Sequence, residues 1–481
     1  MPVRFRLRTR GTSTGEGATL WVNASTGSDS NTIAQVRAGA GSVQWATIYR
    51  AARGVAPGGG ADVSAQAAVA GDIVSIAAGT YSGVGTGDGA DVYCNPVNSG
   101  TAGNPITFRA VGTVTLIYSS SDGPYIGAVS RDYITWAGEF WIDEADCPSA
   151  TSGGAFVIRL LDATNIIFDG LRIIADPTVL PADNHVGIFM STSEAVEIRN
   201  CTISGFSNDE ANNVENASGI EIYTTGNIII EHNTFFGNGS AIHEKAPHDG
   251  ATNNTGPVWI RYNLCYDNST GIVIHRAPHT SGDPCLIYQN IVRDGVIHYV
   301  GETTTAFAMR LFSDATSPMH VKIFNNTVDG CDAALLIRTA NTFQANAGHL
   351  WWNNIVRDIA THVLWNIDGG ASNFTDKARF DAEHNVYYET PTDFANTAGT
   401  DISFASWQGA TYDQDDDDGG SDDSIIGSDP LFVNYASDDF HLQGGSPALT
   451  IGRAIYSIGG SDDTVIPAGC YITGSEVIGP E

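Results

Sequence analysis

The chain has 481 residues, with 54 Asp+Glu against 23 Lys+Arg for a formal net charge of −31, and 42% of it is hydrophobic. That apolar share supports a large core and excludes disorder of the whole chain. No apolar run approaches the ~18–20 residues of a membrane helix. A charge this negative repels phosphate backbones and excludes nucleic acid as a partner class. Only Lys245, Lys322 and Lys377 are lysines, a bias that high-salt surroundings or a GC-rich genome would each produce.

The first residues, Met1 to Arg10, are basic and lack the apolar stretch of a secretory signal. Val3, Phe5 and Leu7 alternate with arginines, as in a leading strand. The segment Trp45–Val55 predicts a short helix with Ile48, Ala51 and Ala52 on one face, ended by the glycines at 58–60. Seven widely spaced cysteines without a CxxC pair predict small buried apolar residues rather than a zinc site or a disulfide framework.

From about residue 160 onward the chain repeats itself. Blocks of the form apolar-x-x-Asn-x-apolar place an asparagine at 200, 233, 263, 290 and 326. Weaker copies put Asn354 and Asn385, and before them all Gly170, in the same slot. Each block follows a second one, such as Gly219-Ile-Glu-Ile or Gly271-Ile-Val-Ile. Two or three short strands per ~30 residues, with turns of variable length, describe one coil of a β-solenoid. No single coil can bury its apolar face, so neighbours stack, and identical residues lie about 4.8 Å apart. Asparagines stacked in a bend can then hydrogen-bond from coil to coil. The expected class is all-β, a right-handed parallel β-helix with an N-terminal capping helix and an irregular C-terminal cap. The expected divisions are an attachment segment (1–20), a cap and first coil (21–80), the helix (81–395) and a closing segment (396–481). The acidic run Asp413–Asp423 in the last of these is either a solvated loop or a loose Ca²⁺ site; it lacks the EF-hand pattern.

The chain resembles the right-handed parallel β-helix superfamily with the pectin-lyase-like fold. The resemblance rests on Trp21-Val-Asn, Trp45-Ala-Thr-Ile, Gly71-Asp-Ile-Val-Ser-Ile-Ala-Ala-Gly-Thr-Tyr81 and Gly103-Asn-Pro-Ile-Thr-Phe near the start. Asp429-Pro-Leu-Phe, Asp439-Phe-His-Leu and Ser446-Pro-Ala-Leu carry it near the end. It covers about 20–452 and implies the fold. The superfamily includes lyases, hydrolases, epimerases, tailspikes and structural proteins, so chemistry has to be argued from the site.

Aligning coils on their Gly-Ile blocks lays Ser240–His248 over Gly271–His279. Lys245 then falls on Arg276 and His248 on His279, with His243 and His275 beside them. Arg310 and Arg338 follow on the next coils, and Glu221 and Tyr223 precede them. Like charges ~5 Å apart repel, so this ladder needs anionic partners. These are either its own carboxylates (Glu221, Glu244, Asp249, Asp283) or an outside polyanion such as a uronate polysaccharide. A Lys/Arg pair on successive coils is similar to that of the alginate lyase and chondroitinase B family. That likeness implies Lys245 as the base of a β-elimination and Arg276 as acid or carboxylate clamp, with His243 and His275 as neighbouring candidates. Arg310, Arg338, His248, His279 and Tyr223 would bind substrate. Glu221 and Glu244 would supply part of a Ca²⁺ site, and the same pair or Asp267 with Asp294 could serve a hydrolase. Tyr262, Tyr288, Phe324, Trp351 and Trp352 flank the Asn slot, as a sugar-stacking platform or as packing.

Three functions fit: a phage tailspike that binds or cuts a surface polysaccharide, a secreted polysaccharide lyase, and a structural or adhesin solenoid. The first implies a virion, a homotrimer and tail-protein partners; all three place the protein outside the cell or on a virion.

Overall fold

The computed structural model describes residues 19–83, 94–118, 126–143, 155–175, 184–208, 216–223, 226–245, 256–275, 279, 282–297, 305–313, 319–339, 348–366, 380–397, 399–408, 424–453, 465–466, 468–471 and 476–480. Strands pair in parallel with the strand one coil later, and each coil visits three sheets. The first sheet contains Ser218–Tyr223, Ser240–Lys245, Thr270–His275 and Phe307–Ser313. The second contains Ile228–Glu231, Val258–Arg261, Cys285–Tyr288 and Val321–Phe324. The third contains Thr234–Phe236, Leu264–Tyr266 and Ile291–Arg293. This is a parallel β-helix, and its core is the stack of inward columns. Ile220, Ile242, Ile272, Met309 and Leu335 form one such column, every member fully buried.

The bend between second and third sheets uses two residues per coil. The first is left-handed: Gly138, Gly170, Asn200, His232, Tyr262, Gln289, Asn325, Asn353 and His384 all have positive φ. The second turns inward, where the asparagine ladder forms. Nδ2 of Asn233 donates to Oδ1 of Asn263 at 3.0 Å, and that contact repeats from Asn263 to Asn290 and from Asn290 to Asn326, each at 3.0 Å. It continues to Asn354 at 3.1 Å and Asn385 at 3.2 Å. The same amides donate to a carbonyl of the preceding coil, as Asn290 does to Ile260 at 2.9 Å. Bend polar groups that would otherwise be buried without partners are satisfied in this way.

One expectation shifts by a residue. Arg199 pairs with Glu231 and Thr202 with Thr234, so Cys201, not Asn200, occupies the ladder slot. Asn200 and Gly170 hold the left-handed position instead, which asparagine and glycine tolerate better than other residues. A second, shorter ladder runs from Asn238 to Asn268 at 2.9 Å.

The capping helix spans Ile48–Arg53 and buries all six residues. Thr47 caps its start by accepting from the Arg50 amide, and Gly54 ends it at φ 74°. A Cβ at Gly54 would sit 1.9 Å from the Val63 carbonyl oxygen, so only glycine fits. The buried Arg50 guanidinium donates to the carbonyls of Asp29, Asn31 and Gln66. A further helix, Ile33–Ala38, precedes it with a Thr32/Gln35 capping box.

At the other end Phe404–Trp407 closes the core, with Phe394 4.9 Å from Phe404 and 5.8 Å from Trp407 between ring centroids. The following segment runs back along the flank: the Gly469 amide donates to Asn353 O at 2.7 Å, and Gly479 to Tyr262 O at 2.9 Å. Arg293 and Asp438 pin it by an ion pair. The described cysteines are all free and buried, as expected. Residues 1–18 and Asp413–Asp423, hence most of the attachment segment and the acidic run, lie outside the described residues. Among the described residues no helix is long and apolar enough to cross a membrane.

Asn290→Ala would remove the acceptor of the Asn263 backbone amide, one acceptor of the Asn263 Nδ2, and the side-chain donor to Ile260 O and Asn326 Oδ1. It should cost ~3–5 kcal/mol in urea unfolding. Asn200→Gly, at the left-handed position, should stay within about 0.5 kcal/mol. Equal losses would contradict the ladder assignment.

Candidate functional site

Side chains alternate across a strand, so the register of the first sheet decides which of the expected residues meet. Ile220, Ile222, Ile242, Ile272, Ile274, Met309, Leu311 and Ile337 are buried in the solenoid core. Residues one step away therefore face outward and form two adjacent columns. The first reads Phe189, Glu221, His243, Val273, Arg310 and Leu336; the second reads Ser191, Tyr223, Lys245, His275, Phe312 and Arg338. Although it faces away from the core, the first column is buried from Glu221 to Leu336. Tyr223, Lys245 and His275 are half-buried and Arg338 is exposed, so the second column is the reachable one.

Aromatic and cationic groups interleave there. The Lys245 ammonium lies 5.5 Å from the Tyr223 ring centre and donates to Asn216 Oδ1 at 2.8 Å. His243 and His275 stack at 5.8 Å, and His275 meets Phe312 at 4.8 Å. The Phe312 ring takes Arg310 at 4.7 Å and Arg338 at 5.8 Å. Phe156, Phe189 and Tyr223 extend the aromatic surface, with centroid spacings of 4.3 and 5.5 Å. Rings whose faces hold cations ease the repulsion between successive positive charges.

Glu221 is the acid behind this row. Burial pushes its carboxyl up to about 7, against the opposing pull of the Lys245 charge and the Tyr223 hydroxyl. Burial, reinforced by the neighbouring Glu221, pushes the Tyr223 hydroxyl well above the ordinary range. A carboxyl that titrates near neutrality next to a tyrosine and a lysine can both hold and release a proton.

The structure corrects several expected positions. Lys245 pairs with His275, one residue short of Arg276. Arg276 and His248 lie outside the described residues. His279 is buried and its Nε2 meets Glu244 Oε1 at 2.8 Å, so it does not line the outer face. Glu221 pairs with His243 and Ile222 with Glu244, which sends the two carboxylates to opposite sides of the sheet. They share neither a Ca²⁺ site nor a hydrolase pair. Asp267 and Asp294 stack in the bend after the third sheet, both at positive φ, away from this face. The expected stacking platform also splits. Trp351 is in the core, whereas Tyr288 and Phe324 stack on the outside of the second sheet at 4.9 Å. Arg310 and Arg338 face outward as expected, but Arg310 is only 6% exposed, set between Phe307 and Phe312.

Residues 152–348 match the family model described as "Right handed beta helix region". Among solved structures, a rhamnogalacturonan lyase is similar with a TM-score of 0.50 and 15% identity, covering 77% of this chain and 87% of that one. A pectate lyase gives a TM-score of 0.43 and 13% identity, over 86% of this chain and 92% of that one. A polysaccharide lyase from Pseudopedobacter saltans gives 0.41 and 12%, over 79% and 93%. No curated protein matches by sequence. The fold is a right-handed parallel β-helix.

Inside the β-helix lies a group that the sequence reading did not assemble. Glu244 takes the place of isoleucine in an inward column, between Ile222 and Ile274. The signal was present: Ala241-Ile-His-Glu aligns with Gly219-Ile-Glu-Ile and Gly271-Ile-Val-Ile, which exposes a glutamate in an isoleucine slot.

A carboxyl with a folded pKa near 7 and an ordinary value of 4.5 binds its proton more tightly in the native state. The stability it contributes is complete below the ordinary value and is lost as pH rises through the folded one. Relative to Glu221→Gln, the wild type should therefore lose ~3 kcal/mol between pH about 4.5 and 8. Urea melts at fixed pH measure this, and parallel stability curves for the two proteins would refute the assignment.

Proposed function

We propose that the outer face of the first sheet binds an anionic polysaccharide, with Lys245 as the centre of a β-elimination. The observation that supports this reading is the row Tyr223, Lys245, His275, Phe312 and Arg338. It is an uninterrupted cationic and aromatic column on a molecule of net charge −31. Coils repeat at about 4.8 Å, close to the length of a sugar ring, so a chain laid along the helix axis would offer successive rings to successive residues. Aromatic faces carry the rings, and cations meet the carboxylates.

In the elimination, the base removes the proton α to the uronate carboxylate. The C–O bond to the neighbouring sugar breaks, a C=C bond forms, and the departing oxygen takes up a proton. Lys245 is the base candidate, and His275 and Arg338 neutralise carboxylate charge. In this reading Tyr223, whose hydroxyl stays protonated beside the protonatable Glu221, gives the leaving oxygen its proton. A virion-mounted version uses the same face and adds a homotrimer; sedimentation velocity separates three chains from one.

The test is incubation with a panel of uronate-containing polymers, reading the ultraviolet absorbance of the new conjugated double bond. Lys245→Ala should lower cleavage at least ~100-fold while moving the melting temperature little, because its side chain is half-buried. Arg338→Ala should raise KM more than it lowers kcat. A protein that neither retains nor cleaves any uronate polymer would overturn the reading; retention without cleavage would leave binding and remove the elimination.

A further inference from the structure

We propose that Glu244, His279 and Cys285 form an interior binding site for a borderline transition-metal ion, Zn²⁺ by the character of its donors. One ligand atom from each lies within 4.8 Å of the other two, and all three residues are buried. Each comes from a different segment. Glu244 is the penultimate residue of the strand Ser240–Lys245, and Cys285 opens the strand Cys285–Tyr288. His279 lies in the connection between Thr270–His275 and that second strand, and the His320 amide donates to its carbonyl at 3.2 Å. The three meet at the corner where the first sheet hands over to the second.

The columns show how specific this meeting is. Glu244 stands where Ile222 and Ile274 stand one coil before and after, followed by Leu311 and Ile337. Cys285 stands between Val258 and Val321. Both columns thus depart from aliphatic residues at the one corner where the departures face each other and a histidine joins them. A glutamate in an apolar interior is costly, and pairing it with a histidine recovers that cost only in part. Carboxylate, thiolate and a divalent ion sum to zero charge with a neutral imidazole, so the loaded cluster is electrically balanced.

The donor set matches the metal. Sulfur, nitrogen and one carboxylate oxygen are ligands of Zn²⁺, whereas Ca²⁺ takes oxygen alone. Bond lengths of about 2.0–2.3 Å in a tetrahedron separate ligand atoms by roughly 3.3–3.7 Å. The Glu244–His279 contact of 2.8 Å would have to open by about 0.5 Å, and a separation as wide as 4.8 Å would have to close by about 1 Å. The fourth position is left to water or a further donor. This site is on the opposite side of the sheet from the polysaccharide face and does not depend on it.

The experiment uses protein expressed in zinc-supplemented medium, purified natively, dialysed against a weak chelator and assayed by elemental analysis. About one zinc per chain is expected, with a higher melting temperature than protein stripped by a strong chelator. Cobalt-grown protein should show thiolate-to-cobalt charge-transfer absorption. Cys285→Ser should abolish that band, and Glu244→Ile, which completes the isoleucine column and so should fold, should lower bound zinc at least ~10-fold. Wild type that retains no zinc, or zinc that survives in Glu244→Ile and Cys285→Ser, would overturn the site. Neither result bears on polymer cleavage, which is measured separately.

Discussion

The structure depends on parallel pairing of each strand with its counterpart one coil later. This pairing gives every residue a fixed neighbour above and below, about 4.8 Å away. It is unforgiving of polar groups, because the bends between sheets bring backbone amides and carbonyls into the interior. The asparagine ladder resolves that problem. Each carboxamide oxygen accepts from both the backbone and the side chain of the coil before, as Asn263 does from Asn233. The left-handed residue in front of it turns the chain so that the amide points inward. Where Cys201 takes the slot, the ladder still reaches it, since its amide donates to Asn233 Oδ1 at 2.9 Å.

The same columns make function a matter of parity. One step along a strand separates the isoleucine core from the outer row, so Lys245 and Glu244, adjacent in sequence, serve opposite sides of the sheet. Stacking also concentrates whatever a column contains. A column of like charges is disfavoured by about 1 kcal/mol per contact even in water. The outer row limits this by alternating cations with rings, and by keeping Glu221 just behind Lys245. A polyanion laid along the row would complete the compensation.

Much of this was legible in the sequence. The asparagines from 233 to 385 mark the bend because nothing else satisfies it as well, and outward Arg310 and Arg338 followed from inward Met309 and Ile337. The failures were slips of one residue. Lys-Ala-Pro-His at 245–248 and Arg-Ala-Pro-His at 276–279 invite an alignment offset by 31, whereas the strands before them pair at an offset of 30. The matching words run on past Lys245 and His275, the last residues of their strands, where connection length is free, so they do not report the register of the sheet. A slip of one reverses every side chain in a strand. That is why the alignment on matching words sets Arg276 against Lys245 instead of His275. The return of residues 468–471 and 476–480 along the flank left no periodic mark, because Ala468 and Cys470 pack singly against Ile291, Ile355 and Val386.

The two places where polar groups enter the interior differ in kind. The asparagine ladder repeats, so each member is both donor and acceptor, and its contribution grows with every coil added. Among the described residues the Glu244 cluster occurs at a single corner, and it breaks two aliphatic columns to exist. A repeating solenoid has no structural need for such an interruption: an isoleucine and a valine would continue the stack and spare the desolvation of a carboxylate. A feature that weakens the local pattern without a repeating benefit is where a fold carries something other than its own stability. The chemistry of oxygen, nitrogen and sulfur converging on one buried point indicates what that something is.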